Sequence, residues 1–145
     1  ISADEKKQAE EAARQVLVTI ETGVRQVLAD YAAGKLNDKI TTTPSGLKVY
    51  TVEKGSGAAL TPGETIKTNY YGSLSNGTMF DNSYERGGPT PFTVGGLVPG
   101  FNEGMKLLNK GGKAVLFIPY ALAYGEQGNG PIPAKSDLVF YIGLE

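Results

Sequence analysis

The hydrophobic period changes once along this chain, and the change divides it. Residues 1–36 contain no proline, and Val16, Ile20, Val24, Val27 and Tyr31 recur every three or four positions, with Leu17 and Leu28 flanking the same stripe. That spacing puts them on one face of an α-helix. Most other positions there are Ala, Glu, Gln and Lys, which favour helix. Ser2 followed by Glu5 makes a capping-box pattern at the start, and Gly34 suits the left-handed residue beyond the last turn. Glu10–Arg14 and Glu21–Arg25 have the i,i+4 order that supports a helix. A helix of about 30 residues is roughly 45 Å long, more than a small domain covers, which leaves part of it for another partner.

Beyond residue 36 the helical period is gone. NDKITTTPSG (37–46) reads as a polar connection. Over Leu47–Val52 the residues Leu47, Val49 and Thr51 alternate with Lys48, Tyr50 and Val52. Over Thr65–Tyr71 the residues Ile66, Thr68 and Tyr70 alternate with Lys67, Asn69 and Tyr71. Asn76-Gly77 is a hairpin dipeptide between short extended pieces, and Pro91–Val94 is extended. Pro99-Gly100 opens a short helix with Phe101, Met105 and Leu108 on one side, and Lys110-Gly111-Gly112 ends it. Ala114–Ile118 and Leu138–Leu144 are apolar runs of the kind central strands carry. Between them, AYGEQGNGPIPAKSD reads by composition as a flexible connector. The fold class is therefore α+β: a long helix, then an antiparallel sheet with one short helix against it.

Two absences bound the chemistry. The 145 residues include no histidine and no cysteine, which removes Ser-His-Asp triads, thiol nucleophiles and the usual zinc ligand sets. A metal would have to be held by oxygen alone, and neither a metal nor a cofactor is expected. A net charge of −1 gives no broad basic surface for nucleic acid, and no apolar run is long enough to span a membrane. The chain begins at Ile1, so a processed or trimmed start, with any targeting signal removed, is expected.

Aromatic residues stand near turns: Tyr70, Phe80, Phe92, Phe101, Tyr124 and Phe140. Any one of them alone reads as core. As a group beside glycine and proline they suggest a concave apolar pocket. Asp81 reads by itself as a turn former or the surface partner of Arg86. The free N–H groups of the turn opened by Pro99, or that of Val98 just before it, can receive a ligand carbonyl. Glu103 and Glu126 read as solvated surface.

Taken in order, FDNS…RGGPTPFTVG…LVPGFNEGMKLLNKGGKAVLFIP…AYG…IPA…DLVF resembles the FKBP family of peptidyl-prolyl cis-trans isomerases over residues 46–145. The resemblance implies a half-barrel antiparallel sheet curled around one short helix, with an apolar pocket between them. It divides the chain into a helical arm (1–36), a linker (37–46) and an isomerase domain (47–145). It implies a pocket lined by Tyr70, Phe80, Asp81, Arg86, Phe92, Leu97, Val98, Phe101, Tyr124, Ile132 and Phe140. Asp81, Tyr124 and Phe140 would act on the substrate and the others would bind it. The stretch after Tyr124 becomes a flap over the pocket, with Ile132 held between Pro131 and Pro133.

The implied activity is rotation of X–Pro bonds in polypeptide clients, with macrolides of the rapamycin type as inhibitors. Where the family often has tryptophan on the pocket floor this chain has Phe101, which deepens the pocket and bears on macrolide affinity. The ERGGPTP and ALAYG segments each carry one residue more than the shortest members, and the loop after Tyr124 lacks the histidine some members have. Helical-armed members of the Mip and FkpA type point to a bacterial periplasm or cell envelope, with the cytoplasm as the alternative. Two rival readings stand beside the enzyme. One is a module that holds proline segments without turning them over. The other is a folding helper whose arm binds clients. The arm either joins two copies into a homodimer, or packs on its own domain or on a part of the chain upstream of it.

Overall fold

The computed structural model describes residues 3–144 except 62, 76, 85–88, 95, 97, 98 and 129–131, with only the backbone of Ala13. The first helix, α1, runs Ala3–Ala32. Its end is built as the sequence predicts. Gly34 has φ +78°, its N–H donates to Tyr31 C=O at 3.1 Å, and Lys35 N–H donates to Asp30 C=O at 2.9 Å. These two bonds are the paired closure of a helix by a left-handed residue. The start is less informative, because Ser2 of the expected capping box lies outside the described residues.

The apolar stripe is buried only along the second half of α1. Leu17, Ile20, Val24, Val27, Leu28 and Tyr31 pack against the sheet, and Val24 is 2% exposed. Val16, expected on the stripe, is 47% exposed, and Val18 is 56% exposed. The stripe begins instead at Leu17, whose spacing to Ile20, Val24 and Leu28 matches the helical turn. Arg14 pairs with Glu11 at 3.3 Å rather than with the expected Glu10, while Glu21–Arg25 forms at 2.8 Å. Tyr31 stacks on Phe117 with centroids 4.4 Å apart, and Lys48 Nζ donates to its hydroxyl at 3.0 Å.

The sheet has seven antiparallel strands: β1 (Ile40–Thr42), β2 (Lys48–Glu53), β3 (Thr65–Leu74), β4 (Met79–Asn82), β5 (Thr90–Thr93), β6 (Lys113–Ile118) and β7 (Leu138–Leu144). Their order is β1-β2-β6-β7-β3-β4, and β5 also pairs with β3. The connection 37–46 thus contains an edge strand, since Ile40–Thr42 pairs with Lys48–Tyr50. Its β-branched residues suit that role, but only the partner β2 organises it.

Alternation assigns the faces. Ile66 and Tyr70 of β3, Leu116 and Ile118 of β6, and Leu138, Phe140 and Ile142 of β7 share the inner core with the short helix α2 (Pro99–Lys106). Val115, Phe117, Val139 and Tyr71 point the other way, under α1. Because α1 covers the outer face, β6 and β7 are buried on both sides and read as continuous apolar runs. On α2, Phe101 and Met105 are buried, as is Leu108 just beyond it. Glu103, expected to be solvated, is half-buried and accepts a hydrogen bond from the Ser45 hydroxyl at 2.5 Å, which ties α2 to the turn before β2.

Candidate functional site

Strand order brings five aromatic rings to one place on the inner face. β7 contributes Phe140, β3 Tyr70, β4 Phe80, β5 Phe92, and α2 Phe101. Phe140 lies at the centre. Its centroid is 5.1 Å from Phe101 and 5.6 Å from Phe80, both edge to face, and 6.5 Å from Tyr70. Phe92 completes the ring, 5.2 Å from Tyr70 and 5.5 Å from Phe101. Such edge-to-face and tilted contacts add to the burial of the rings and fix their planes.

The polar group at this bowl is Asp81, on β4 beside Phe80. Tyr70 donates its hydroxyl to Asp81 Oδ2 at 2.7 Å, and Asn82 N–H donates to Asp81 Oδ1 at 2.9 Å. Both carboxylate oxygens are thereby directed. Arg86, expected beside Asp81, and Leu97 and Val98, expected at the pocket edge, lie outside the described residues.

The stretch after Ile118 is held, not slack, at its base. Tyr120 N–H donates to Asp137 Oδ1 at 2.9 Å, Gly125 N–H to Tyr120 C=O at 2.9 Å, and Lys135 N–H to Gly125 C=O at 3.1 Å. Ile132 is buried in the same core as the rings, and Tyr124 packs half-buried against it. Among the described residues nothing holds the Tyr124 hydroxyl. Of the residues expected at the pocket, the structure therefore gathers Tyr70, Phe80, Asp81, Phe92, Phe101, Tyr124, Ile132 and Phe140 on one side of the sheet.

Two residues not anticipated from sequence shape this place. Gly72 of β3 lies between two rings: a Cβ there would be 2.6 Å from Phe140 Cε1 and 3.0 Å from Phe80 Cζ. An isolated glycine inside an alternating strand is the sequence sign of such a close approach. Ser83 is fully buried and bonds the main chain of Tyr70. Nothing in FDNS separates that role from an ordinary turn serine.

The chemical character is plain. The bowl offers apolar ring surface, a directed carboxylate and the Tyr124 phenol. It is suited to sheltering a cyclic apolar side chain and orienting an amide, not to forming covalent bonds.

Comparison with known proteins agrees with this geometry. Residues 57–145 match the family model for FKBP-type peptidyl-prolyl cis-trans isomerase. The chain is 48% identical over 102 residues to FkpA of Buchnera aphidicola, covering 70% of this chain and 41% of that protein. It is 46% identical over 105 residues to FkpA of Escherichia coli K12, covering 72% and 39%. It spans about two fifths of the length of these curated relatives. The crystal structure of Escherichia coli FkpA superposes with TM-score 0.72 at 38% identity, over 99% of this chain and 72% of that one. That of AtFKBP13 gives 0.68 at 37% identity, over 72% and 95%. With the family model matched over residues 57–145 and a solved relative superposed over 99% of this chain, the chain belongs to the FKBP-type peptidyl-prolyl cis-trans isomerase family.

Proposed function

We propose that this chain catalyses cis–trans isomerisation of X–Pro bonds in polypeptide clients and so assists their folding. The observation that carries this is the aromatic bowl with Asp81 directed at its edge by Tyr70. The uncatalysed rotation barrier is about 18–20 kcal/mol and comes from amide resonance, which is lost as the bond twists. No bond need be broken and no proton moved. A site that favours the twisted amide over the planar one accelerates the step, at about 1.4 kcal/mol per tenfold. Tyr70, Phe92, Phe101 and Phe140 hold the proline ring, and Phe80 and Ile132 close the sides. The twisted amide has a less polar carbonyl, so it loses less on leaving water. Asp81 orients the site near that carbonyl, and Tyr124 donates its hydroxyl to a substrate carbonyl. By resemblance, Arg86 holds Asp81, Leu97 borders the bowl and Val98 N–H donates to a second carbonyl.

The test is a proline-limited peptide isomerisation assay on the parent, Phe140→Ala, Asp81→Val and Tyr124→Phe, with rapamycin as competitor. Activity in the parent and losses in the variants are expected. Unchanged activity in all three variants would overturn the site. Peptide binding with no turnover in the parent would replace the enzyme by a holding module. Inhibition by rapamycin would show that the bowl accepts macrolides with Phe101 on its floor.

The same reading keeps residues 1–36 as arm, 37–46 as linker and 47–145 as isomerase domain. We propose further that the arm joins two copies, supported by the exposure of Val16 and Val18 on a helix whose other half is docked. Light scattering on the parent and on Val16→Glu/Val18→Glu tests it, and a monomeric parent ends it. No helix among the described residues is long and apolar enough to cross a membrane. A place in the bacterial periplasm or envelope rests on the resemblance to helical-armed members, and cell fractionation decides between it and the cytoplasm.

A further inference from the structure

In an antiparallel ladder, directly opposite residues alternate between pairs that exchange both N–H···O=C bonds and pairs that exchange none, and a main-chain bond between two opposed residues marks the first kind. Along β3 and β4, Tyr71 faces Asn82 and Gly72 faces Asp81, so the next position sets Tyr70 against Ser83. There the exchange is only half main-chain. Ser83 N–H donates to Tyr70 C=O at 2.9 Å, but Tyr70 N–H donates to the Ser83 hydroxyl oxygen, also at 2.9 Å. The serine side chain stands in for the carbonyl that the ladder would use, because β4 ends at Asn82. The hydroxyl in turn reaches Asn69 Oδ1 at 3.2 Å. Ser83 is 0% exposed and Tyr70 4%, so water has little access to replace the bond.

We infer that Ser83 is a positioning residue for the isomerase site, acting through Tyr70 on Asp81. The contacts form a closed loop. Tyr70 is fixed at its backbone by Ser83 and at its hydroxyl by Asp81 Oδ2, and Asp81 is joined to Ser83 by only Asn82. Removing the Ser83 hydroxyl takes away the acceptor that the buried Tyr70 N–H uses, and the backbone must move to restore a bond there. The Tyr70 ring and the carboxylate it directs move with that backbone. Ser83 does not touch the substrate, so its loss reaches the reaction only through the Tyr70 ring and the Asp81 carboxylate.

This inference rests on the isomerase reading, and the experiment separates the two. Steady-state kcat and KM are measured for the parent, Ser83→Ala, Ser83→Cys, Ser83→Thr, Tyr70→Phe and Tyr70→Phe/Ser83→Ala, each normalised to its folded fraction by circular dichroism. Ser83→Ala is expected to lose about tenfold in kcat/KM, with the larger share of the loss in kcat. Ser83→Cys fills the same space with a poor acceptor and shows the same loss if the alanine variant does not fold. Ser83→Thr, which keeps the hydroxyl, recovers most of the rate. In the double variant the losses do not multiply, because both changes break one loop. An active parent whose Ser83→Ala and Ser83→Cys variants keep parental kcat, or whose losses multiply with Tyr70→Phe, overturns the positioning role alone. An inactive parent overturns the isomerase reading and this inference with it.

Discussion

Gly72→Ala adds one methyl group at the most crowded point of the bowl. The new Cβ would lie 2.6 Å from Phe140 Cε1, 3.1 Å from Phe140 Cδ1 and 3.0 Å from Phe80 Cζ. Carbon atoms rest about 3.5–4.0 Å apart, so the Phe140 ring has to retreat by about 1 Å. It has little room. Gly72 faces Phe140 across the β3–β7 ladder and Asp81 across β3–β4, and Phe101 and Tyr70 hold the ring from its other sides. The φ of Gly72 is not in the left-handed region, so the substitution acts through this contact and not through the backbone. Overpacking of this kind costs about 1–3 kcal/mol. For a chain of this size that lowers Tm by roughly 3–10 °C. The ring shift also disturbs the surface on which the proline ring would sit, and a displacement of about 1 Å can cost up to about a hundredfold in rate. We expect kcat/KM to fall at least tenfold, or about 1.4 kcal/mol. Thermal unfolding and the proline-limited peptide assay measure the two effects. Adding Phe140→Leu removes the contacted ring atoms, so the stability cost of Gly72→Ala shrinks in that background. A Gly72→Ala protein with Tm within about 1 °C and kcat/KM within about twofold of the parent would refute the steric argument.

The outer face gives the contrasting result. Val24→Ala, at a position 2% exposed beneath α1, is expected to cost about 2 kcal/mol and lower Tm by about 6 °C, with kcat/KM per folded molecule unchanged. A large loss of kcat/KM there would show that the helix and the bowl are coupled. Alkaline stability depends on Tyr84, whose phenol is pushed up from 10.0 to about 12 by burial and then by Tyr141. Burial also raises Tyr141, with Glu53 adding to it. Above pH 10 the unfolded chain gives up the Tyr84 proton while the folded chain keeps it, so this contribution is present below pH 10 and is lost as pH rises toward 12. Thermal midpoints across that window should fall less steeply in Tyr84→Phe than in the parent, and equal slopes would refute the assignment.

The strands and the short helix were legible because their signals are local. The alternation Ile66, Thr68, Tyr70 puts all three on the inner face, and the runs at Ala114–Ile118 and Leu138–Leu144 are the paired central strands β6 and β7. Three features were not local. Ile40–Thr42 is a strand only because β2 lies beside it. Val16 and Leu17 are adjacent apolar residues, and only the sheet decides that Leu17 faces inward. The convergence of Phe80, Tyr70 and Phe140 follows from the strand order β7-β3-β4, which no period along the chain specifies. The ordered family motifs carried that information. They did not carry Ser83 or Gly72, because a serine after Asp-Asn looks like a turn residue and a lone strand glycine has several readings.

The docked half of α1 bears on the bowl through register. Side chains alternate along a strand, so one residue separates the two environments: Val139 points to α1 and Phe140 into the bowl, and Val115 and Leu116 divide in the same way. A slip of β7 by one position would put Phe140 under the helix and Val139 among the rings. With the outer face open to solvent, such a slip would merely expose a large ring. With α1 seated there, it would also force that ring into a space packed by Val24, Leu28 and Tyr31. The helix therefore opposes a rearrangement that would empty the site while leaving the sheet hydrogen-bonded. This is a demand for stability and uniqueness rather than for chemistry, which is why Val24→Ala should cost folding free energy and leave turnover per folded molecule intact.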